Sequence, residues 1–286
     1  MRRLVSDGQD VAVMTAHPER SKARIEAAGA RPVHGDVQDP ASLAAAVRGA
    51  ESVVQALTFP TFPVQKPSKG YTFEEFDARG TAALVSASAV ARVRKFAYVS
   101  GAGAAADAAN VWFRAKWAGE EAVRAAEVDH VILRPSWVYG PDDRALNKFV
   151  AFHRWLPLVP VIGSGAQRLQ PVFVEDVGKA LAQASRPGGL SGTFEIGGPE
   201  VMTMNEVLLE MMEVRGRVKP LIHLPPWMPK LAGLFLRVLP RPPLSPEAVD
   251  FATGDALADN AALLQHFDLT LTSLRDGLAT YLRPRS

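Results

Sequence analysis

The stretch FAYVSGAGAAADAANVWFRAKWAGEEAVRAAEVDHVILRP, residues 96–135, decides the fold. Phe96-Ala97-Tyr98-Val99-Ser100 is a short apolar run of strand type. Gly101–Ala109 is small and flexible in composition. Asn110 is placed to cap a helix that runs to about Ala126. His130-Val131-Ile132-Leu133-Arg134-Pro135 is a second apolar run, ended by proline. Neither run alternates polar with apolar residues, as expected of parallel strands covered on both faces.

The same alternation extends upstream. Val11–Met14 reads as a strand, Pro18–Ala28 as a helix stopped at Gly29, and Pro32–Val37 as another strand. Asp39 is an N-cap with Pro40 at the first helical position, and Leu43, Ala44 and Val47 share one helical face. Ser52–Leu57 is a third strand. A loop with Pro60, Pro63 and Pro67 follows, then a helix over Phe73–Ala91. Downstream of residue 140, proline and glycine become frequent. Val172-Phe173-Val174 leads into a helix near Glu175 or Asp176, and Thr193–Gly198 is one more strand. The remainder is largely helical, broken by proline-rich stretches at 225–229 and 240–246. The pattern predicts an α/β fold, a doubly wound parallel sheet with a smaller, mostly helical C-terminal lobe. Residues 1–140 and 171–198 are assigned to the sheet core, and 141–170 and 199–286 to the smaller substrate or partner lobe.

Composition narrows the function. The chain has 286 residues, 48% apolar and 22% charged, enough for a sizeable core. Lys plus Arg is 32 against Asp plus Glu at 30, a net charge of +2, which argues against coating nucleic acid. The absence of cysteine excludes disulfides, thiol nucleophiles and Cys-based zinc sites. The six histidines show no metal-ligand spacing, and no metal site is expected. No G-x-S-x-G elbow, P-loop lysine or DNA-reading motif occurs. Neither a secretory signal nor a membrane span is legible, so a cytoplasmic protein is expected.

A doubly wound sheet binds dinucleotides beyond the carboxyl ends of its strands, at a glycine-rich turn that lets backbone N–H groups approach the pyrophosphate. Before residue 30 only Gly8 and Gly29 occur. The chain therefore reads as starting inside the first helix, with roughly 15–20 residues of the usual βα unit absent. As given, it is expected to bind NAD or NADP weakly or not at all.

Several blocks carry a family likeness. They are Gly35-Asp36-Val37, Val53-Val54-Gln55-Ala56, Phe96–Ser100, RPSWVYGP at residues 134–141 and QPVFVEDV at residues 170–177. With them the chain resembles the atypical and extended short-chain dehydrogenase/reductase superfamily, which includes NAD-dependent epimerases/dehydratases and NmrA-like proteins. Within it, the chain is most similar to the nucleotide-binding accessory subunits of respiratory complex I and their bacterial relatives. The resemblance implies a Rossmann-like fold, here N-terminally truncated. It also implies that Asp36 and Val37 contact adenine and that Gln55, Ala56 and Leu57 border adenine and ribose. His17 and Arg20 would lie near the adenosine ribose or a 2′-phosphate. Pro135, Ser136, Trp137 and Val138 would flank the nicotinamide.

Reductases of that superfamily use a Tyr one helical turn before a Lys, the Lys lowering the Tyr pKa while the phenol passes a proton. Lys116 matches the lysine, but the tyrosine position is Trp112. An indole N–H donates a hydrogen bond but exchanges no proton at neutral pH. Ser100 is the hydroxyl nearest the place of the usual catalytic serine, which Ala102 fills. Lys116 and Ser100 are thus the candidate catalytic residues of an incomplete set, and both join the coenzyme-binding set. Tyr139 is expected to pack or line a pocket.

Two functions follow. One is a dinucleotide-fold protein without Tyr-Lys catalysis, acting by nucleotide binding or in assembly of a respiratory-type complex. The other is an NAD(P)-dependent oxidoreductase or epimerase on a small carbonyl or quinone-like substrate. Trp227–Leu239 combines apolar residues with Lys230 and Arg237. It reads either as a buried helix or as a surface for a protein complex or an anionic membrane.

Overall fold

The computed structural model describes residues 1–143, 145–228, 231, 249 and 253–282. Helix α1 (Arg2–Ser6) leads into strand β1 (Ala12–Thr15), α2 (Pro18–Glu26), β2 (Arg31–His34), α3 (Pro40–Ala46) and β3 (Ser52–Gln55). A π-helical turn over Glu74–Arg79 runs into α4 (Gly80–Val90), followed by β4 (Lys95–Val99), α5 (Val111–Ala125) and β5 (His130–Pro135). Then come β6 (Val138–Tyr139), α6 (Leu146–Trp155), β7 (Val159–Ile162), β8 (Arg168–Leu169) and β9 (Val172–Phe173). They are followed by α7 (Val174–Ala184), β10 (Gly192–Ile196), β11 (Met202–Thr203), α8 (Met204–Val214) and β12 (Leu221–Leu224). Helices α9 (Ala261–His266) and α10 (Leu274–Ala279) lie near the end.

The fold is the expected α/β parallel-sheet arrangement. Four parallel strands pair in the order β10-β5-β4-β3. Side chains leave successive strand positions on opposite faces. Phe96, Tyr98 and Ile132 enter one core, with Phe59, Phe73, Leu84 and Val123. Ala97, Val131 and Leu133 enter the other, against Val177, Ala180, Phe194 and Leu263. Both faces are covered, which is why the strands read as unbroken apolar runs. A third core gathers Leu146, Val159, Val161, Val207, Leu208 and Leu278 from later elements.

Local chemistry starts the helices where the sequence places them. The Asp39 carboxylate accepts from Ala41 N, and the Asn110 side chain accepts from Trp112 N at 2.8 Å. Thr203 and Glu206 form a reciprocal capping box at α8.

One feature differs from the expectation. The helix predicted over Phe73–Ala91 widens into the π-helical turn before tightening at Gly80. There a Cβ would sit 3.0 Å from the Val37 side chain and 3.1 Å from Glu75 O, so the chain comes close to the end of β2. The sheet is divided. β1 and β2 pair with each other in parallel, and neither hydrogen-bonds to the four-stranded sheet. In a doubly wound order one further strand lies between those two ladders, and none of the described residues supplies it.

Replacing Asn110 with Ala removes the cap of α5 and is expected to lower stability by about 1 kcal/mol. Urea unfolding should show a lower midpoint at unchanged slope.

Candidate functional site

All strands of the two parallel ladders end on the edge where such folds bind ligands. At the end of β2, Asp36 Oδ1 accepts from Gln38 N at 2.9 Å, and Asp36 N donates to Ser42 Oγ at 2.9 Å. Val37 is buried, and the Gln38 side-chain amide donates to Gly70 O at 3.2 Å. Together Val37, Gln38, Gly70, Thr72 and Arg79 help line an open cleft of about 470 Å³. Of the residues expected at the adenine, Val37 lines this cleft and Asp36 orders the turn beside it. His17 and Arg20 are exposed after β1, where the chain reads Thr15-Ala16-His17-Pro18.

The end of β3 is different. Gln55 turns into the core and donates through Nε2 to Thr81 Oγ1 at 2.8 Å, and Thr81 donates to Asp77 O at 2.6 Å. Ala56 is exposed, while Leu57 packs on the first core.

The end of β4 and the start of α5 hold the candidate catalytic groups, and both are engaged internally. Ser100 Oγ donates to Glu120 Oε1 at 2.6 Å. Glu120 is completely buried and also takes a fork from Arg134, Nε to Oε1 at 2.8 Å and Nη2 to Oε2 at 2.6 Å. Arg124 adds a further bond to Glu120 Oε2 at 2.6 Å. Bidentate pairing of this kind is the strong form of the interaction. The hydrogen bonds to Glu120 raise the Arg134 pKa.

Lys116 Nζ lies 2.9 Å from Asp77 Oδ1 and donates to Val99 O at 2.9 Å. It sits 5.1 Å from the Tyr98 ring centroid and 5.6 Å from that of Trp112. Burial opposes its charge, but Tyr98 and Asp77 outweigh that cost and hold its pKa above the ordinary value. Burial likewise pushes the Asp77 carboxyl up, against the pull of Lys116. The Trp112 indole packs 4.9 Å from the Phe113 ring and 5.9 Å from that of Phe62. It also closes over Gly101, where a Cβ would come within 2.9 Å of the indole.

At the end of β5, Pro135 is buried and Ser136 is pinned, its N–H to Ile196 O at 2.9 Å and its hydroxyl to Gln170 O. Trp137 packs on the third core and Val138 on the second. Tyr139 is fully buried and donates to Ser273 O at 3.1 Å, and burial raises its pKa. It packs, as expected.

The structure thus places Val37 in the wall of a cleft and Asp36 in the turn beside it. It turns Gln55, Ser100 and Lys116 toward interior partners. The residues present fit the adenosine half of a dinucleotide; at the nicotinamide half the lysine and the serine are already engaged by Asp77 and Glu120. Sequence reading missed those two acids. Asp77 follows Glu74 and Glu75 in the acidic first turn of its helix, where nothing singles it out, and Glu120 follows Lys116 by four residues on the same helical face.

Asp77→Leu alone should destabilise the fold by about 3–5 kcal/mol, because it strands a buried ammonium. Asp77→Leu with Lys116→Met should cost less than Asp77→Leu by itself in chemical denaturation. The raised Lys116 pKa also sets a sign. Its contribution is complete below the ordinary lysine range and is lost as pH climbs through the folded-state value. Alkaline titration of stability should therefore fall more steeply in the wild type than in the Asp77→Leu/Lys116→Met variant.

Residues 1–151 match the NAD(P)H-binding family, and residues 103–220 match the RmlD substrate binding domain. A mitochondrial NADH dehydrogenase [ubiquinone] 1 alpha subcomplex subunit 9 of Arabidopsis thaliana is 32% identical over 195 residues. That match takes in 64% of this chain and 48% of the relative, so the chain spans about half the length of that curated protein. A ceramide reductase of Caulobacter vibrioides is 28% identical over 79% of this chain and 69% of its own length. Among solved structures, a dTDP-glucose 4,6-dehydratase double mutant of Streptomyces venezuelae with NAD bound superposes with a TM-score of 0.74. It is 18% identical over 98% of this chain and 90% of its own, a likeness of fold. With more than half of its length matched, this chain belongs to the NAD(P)H-binding family, within the short-chain dehydrogenase/reductase superfamily.

Proposed function

We propose that this chain holds a dinucleotide chiefly by its adenosine end. It acts through that binding, or through assembly into a respiratory-type complex, without a Tyr-Lys proton relay. The observation that carries the reading is Trp112. It stands one helical turn before Lys116 in the place of the proton-passing phenol, and its indole is packed among Phe62, Phe113 and Gly101. Lys116 and Ser100 support the same reading, since their polar atoms meet Asp77, Val99 and Glu120. Similarity to an NADH dehydrogenase subunit supports the assembly role. In this reading, residues 141–170 and 199–286 form the lobe that meets a substrate or a partner.

When bound, the coenzyme would supply hydride chemistry. The chain's own contribution is the cleft beside Val37, the ordered turn at Asp36 and an aromatic wall at Trp112. A second reading, reduction of a carbonyl or quinone-like compound, is favoured by the likeness to the ceramide reductase.

Fluorescence titration with NADH and NADPH should give dissociation constants weaker than micromolar, with AMP competing about as well as NADH. Micromolar or tighter binding would overturn the weak-binding claim. Coenzyme oxidation with small carbonyls or quinones should stay at background. Turnover by the wild type that disappears in Trp112→Phe would establish the second reading instead.

A further inference from the structure

Charge and apolar surface are segregated to one part of the molecule. Residues 144–174 and 214–246 contain no Asp or Glu and carry ten Lys and Arg, in a chain whose net charge is only +2. The described parts of these two segments are joined in space. β7 and β12 pair in parallel, Val159 beside Leu221 and Ile162 beside Leu224. The C-terminal end of α6 is fastened to the approach to β12 by Lys219. Its buried ammonium donates to His153 O and Leu156 O, each at 2.6 Å. His153 Nε2 meets Arg217 O at 2.7 Å, completing the clamp.

Hydrophobic side chains face water along this seam. Of the fifteen large apolar residues exposed among the described residues, nine fall in these two segments. Trp155 is 75% exposed and Trp227 64%, with Leu156, Val218, Ile222 and Leu231 also exposed. The two tryptophans stand just before β7 and just after β12, a strand pair about 13 Å long at the usual rise, so the exposed apolar residues gather around one small part of the fold. Arg154 stacks on Trp155 at 4.9 Å from the ring centroid, and Arg217 is exposed beside Val218. A cluster of this kind on a monomer marks an interaction site.

We propose that this seam docks the protein on a lipid bilayer bearing anionic headgroups. Two exposed tryptophans, one of them stacked by an arginine, match the membrane interface, where an indole sits at headgroup level and cations meet lipid phosphates and carboxylates. Nucleic acid fits less well, since its backbone calls for many cations and few apolar groups. None of the described helices is long and apolar enough to cross a membrane, so the contact is one of surface seating. The cluster extends the expectation placed on Trp227–Leu239. Of that stretch Trp227, Met228 and Leu231 are described, all exposed, and the remainder lies outside the described residues. The proposal is independent of the coenzyme reading, because no residue of the seam lines the cleft at Val37.

The test is co-sedimentation of the full chain with phosphatidylcholine vesicles, with and without phosphatidylserine. Wild type should partition onto the phosphatidylserine vesicles and lose that binding as salt is raised. Arg154→Gln and Arg217→Gln should each weaken partition about fivefold. Trp155→Ser with Trp227→Ser should weaken it about tenfold or more, with an unchanged thermal midpoint because the side chains are exposed. Equal binding to neutral vesicles, or equal binding by the variants, would overturn the proposal. So would stronger retention by duplex DNA than by phosphatidylserine vesicles at the same salt.

Discussion

A charge removed from water must be met by a partner inside the protein, and this constraint organises the central βαβ unit. Three buried charges sit on it. Lys95 begins β4 with no exposed surface, and its ammonium bonds Asp129 Oδ2 at 3.0 Å, Leu190 O at 2.6 Å and Ser191 Oγ at 3.1 Å. Glu120 on α5 gathers Ser100, Arg124 and Arg134. Lys116, one turn earlier on α5, takes Asp77 and Val99 O. These contacts tie the amino ends of β4 and β10, the carboxyl end of β4, helix α5 and strand β5 into one frame. The apolar cores on both faces then pack against strands whose positions are already fixed.

The same constraint separates the two halves of the ligand edge. At Ser100 and Lys116 the polar groups are taken up by internal partners. Where they order an exposed turn, as at Asp36 and Gln38, the edge stays open and lined by Val37, Thr72 and Arg79. Trp112 contributes packing surface against Phe62, Phe113 and Gly101.

Much of the fold was legible because local rules and global arrangement agree. Asp39 and Asn110 cap the helices they precede, and the strand runs fall within a residue or two of β3, β4 and β5. The one-turn spacing of Trp112 and Lys116 was equally plain, since both lie on one helix. What escaped depends on contacts distant in sequence. Asp77 meets Lys116 across 39 residues, and nothing local to either marks the pair. The inward turn of Gln55 depends on Thr81. The widened turn before Gly80 reflects the approach of Val37, which no local propensity encodes. The gap between the two ladders agrees with the expectation of a missing first βα unit, since none of the described residues supplies a strand between them.

That division has a dynamic consequence. A two-stranded parallel ladder has fewer cross-strand bonds to break than a four-stranded one, so β1 and β2 form the region that opens at lower free energy. Asp36 and Val37 ride on it, while Thr72 and Arg79 belong to the chain packed on the larger sheet. A molecule lodged between them couples the looser ladder to the firmer one. Its arrival would be recorded as slowed amide exchange over Ala12–Thr15 and Arg31–His34, with little change elsewhere in the backbone.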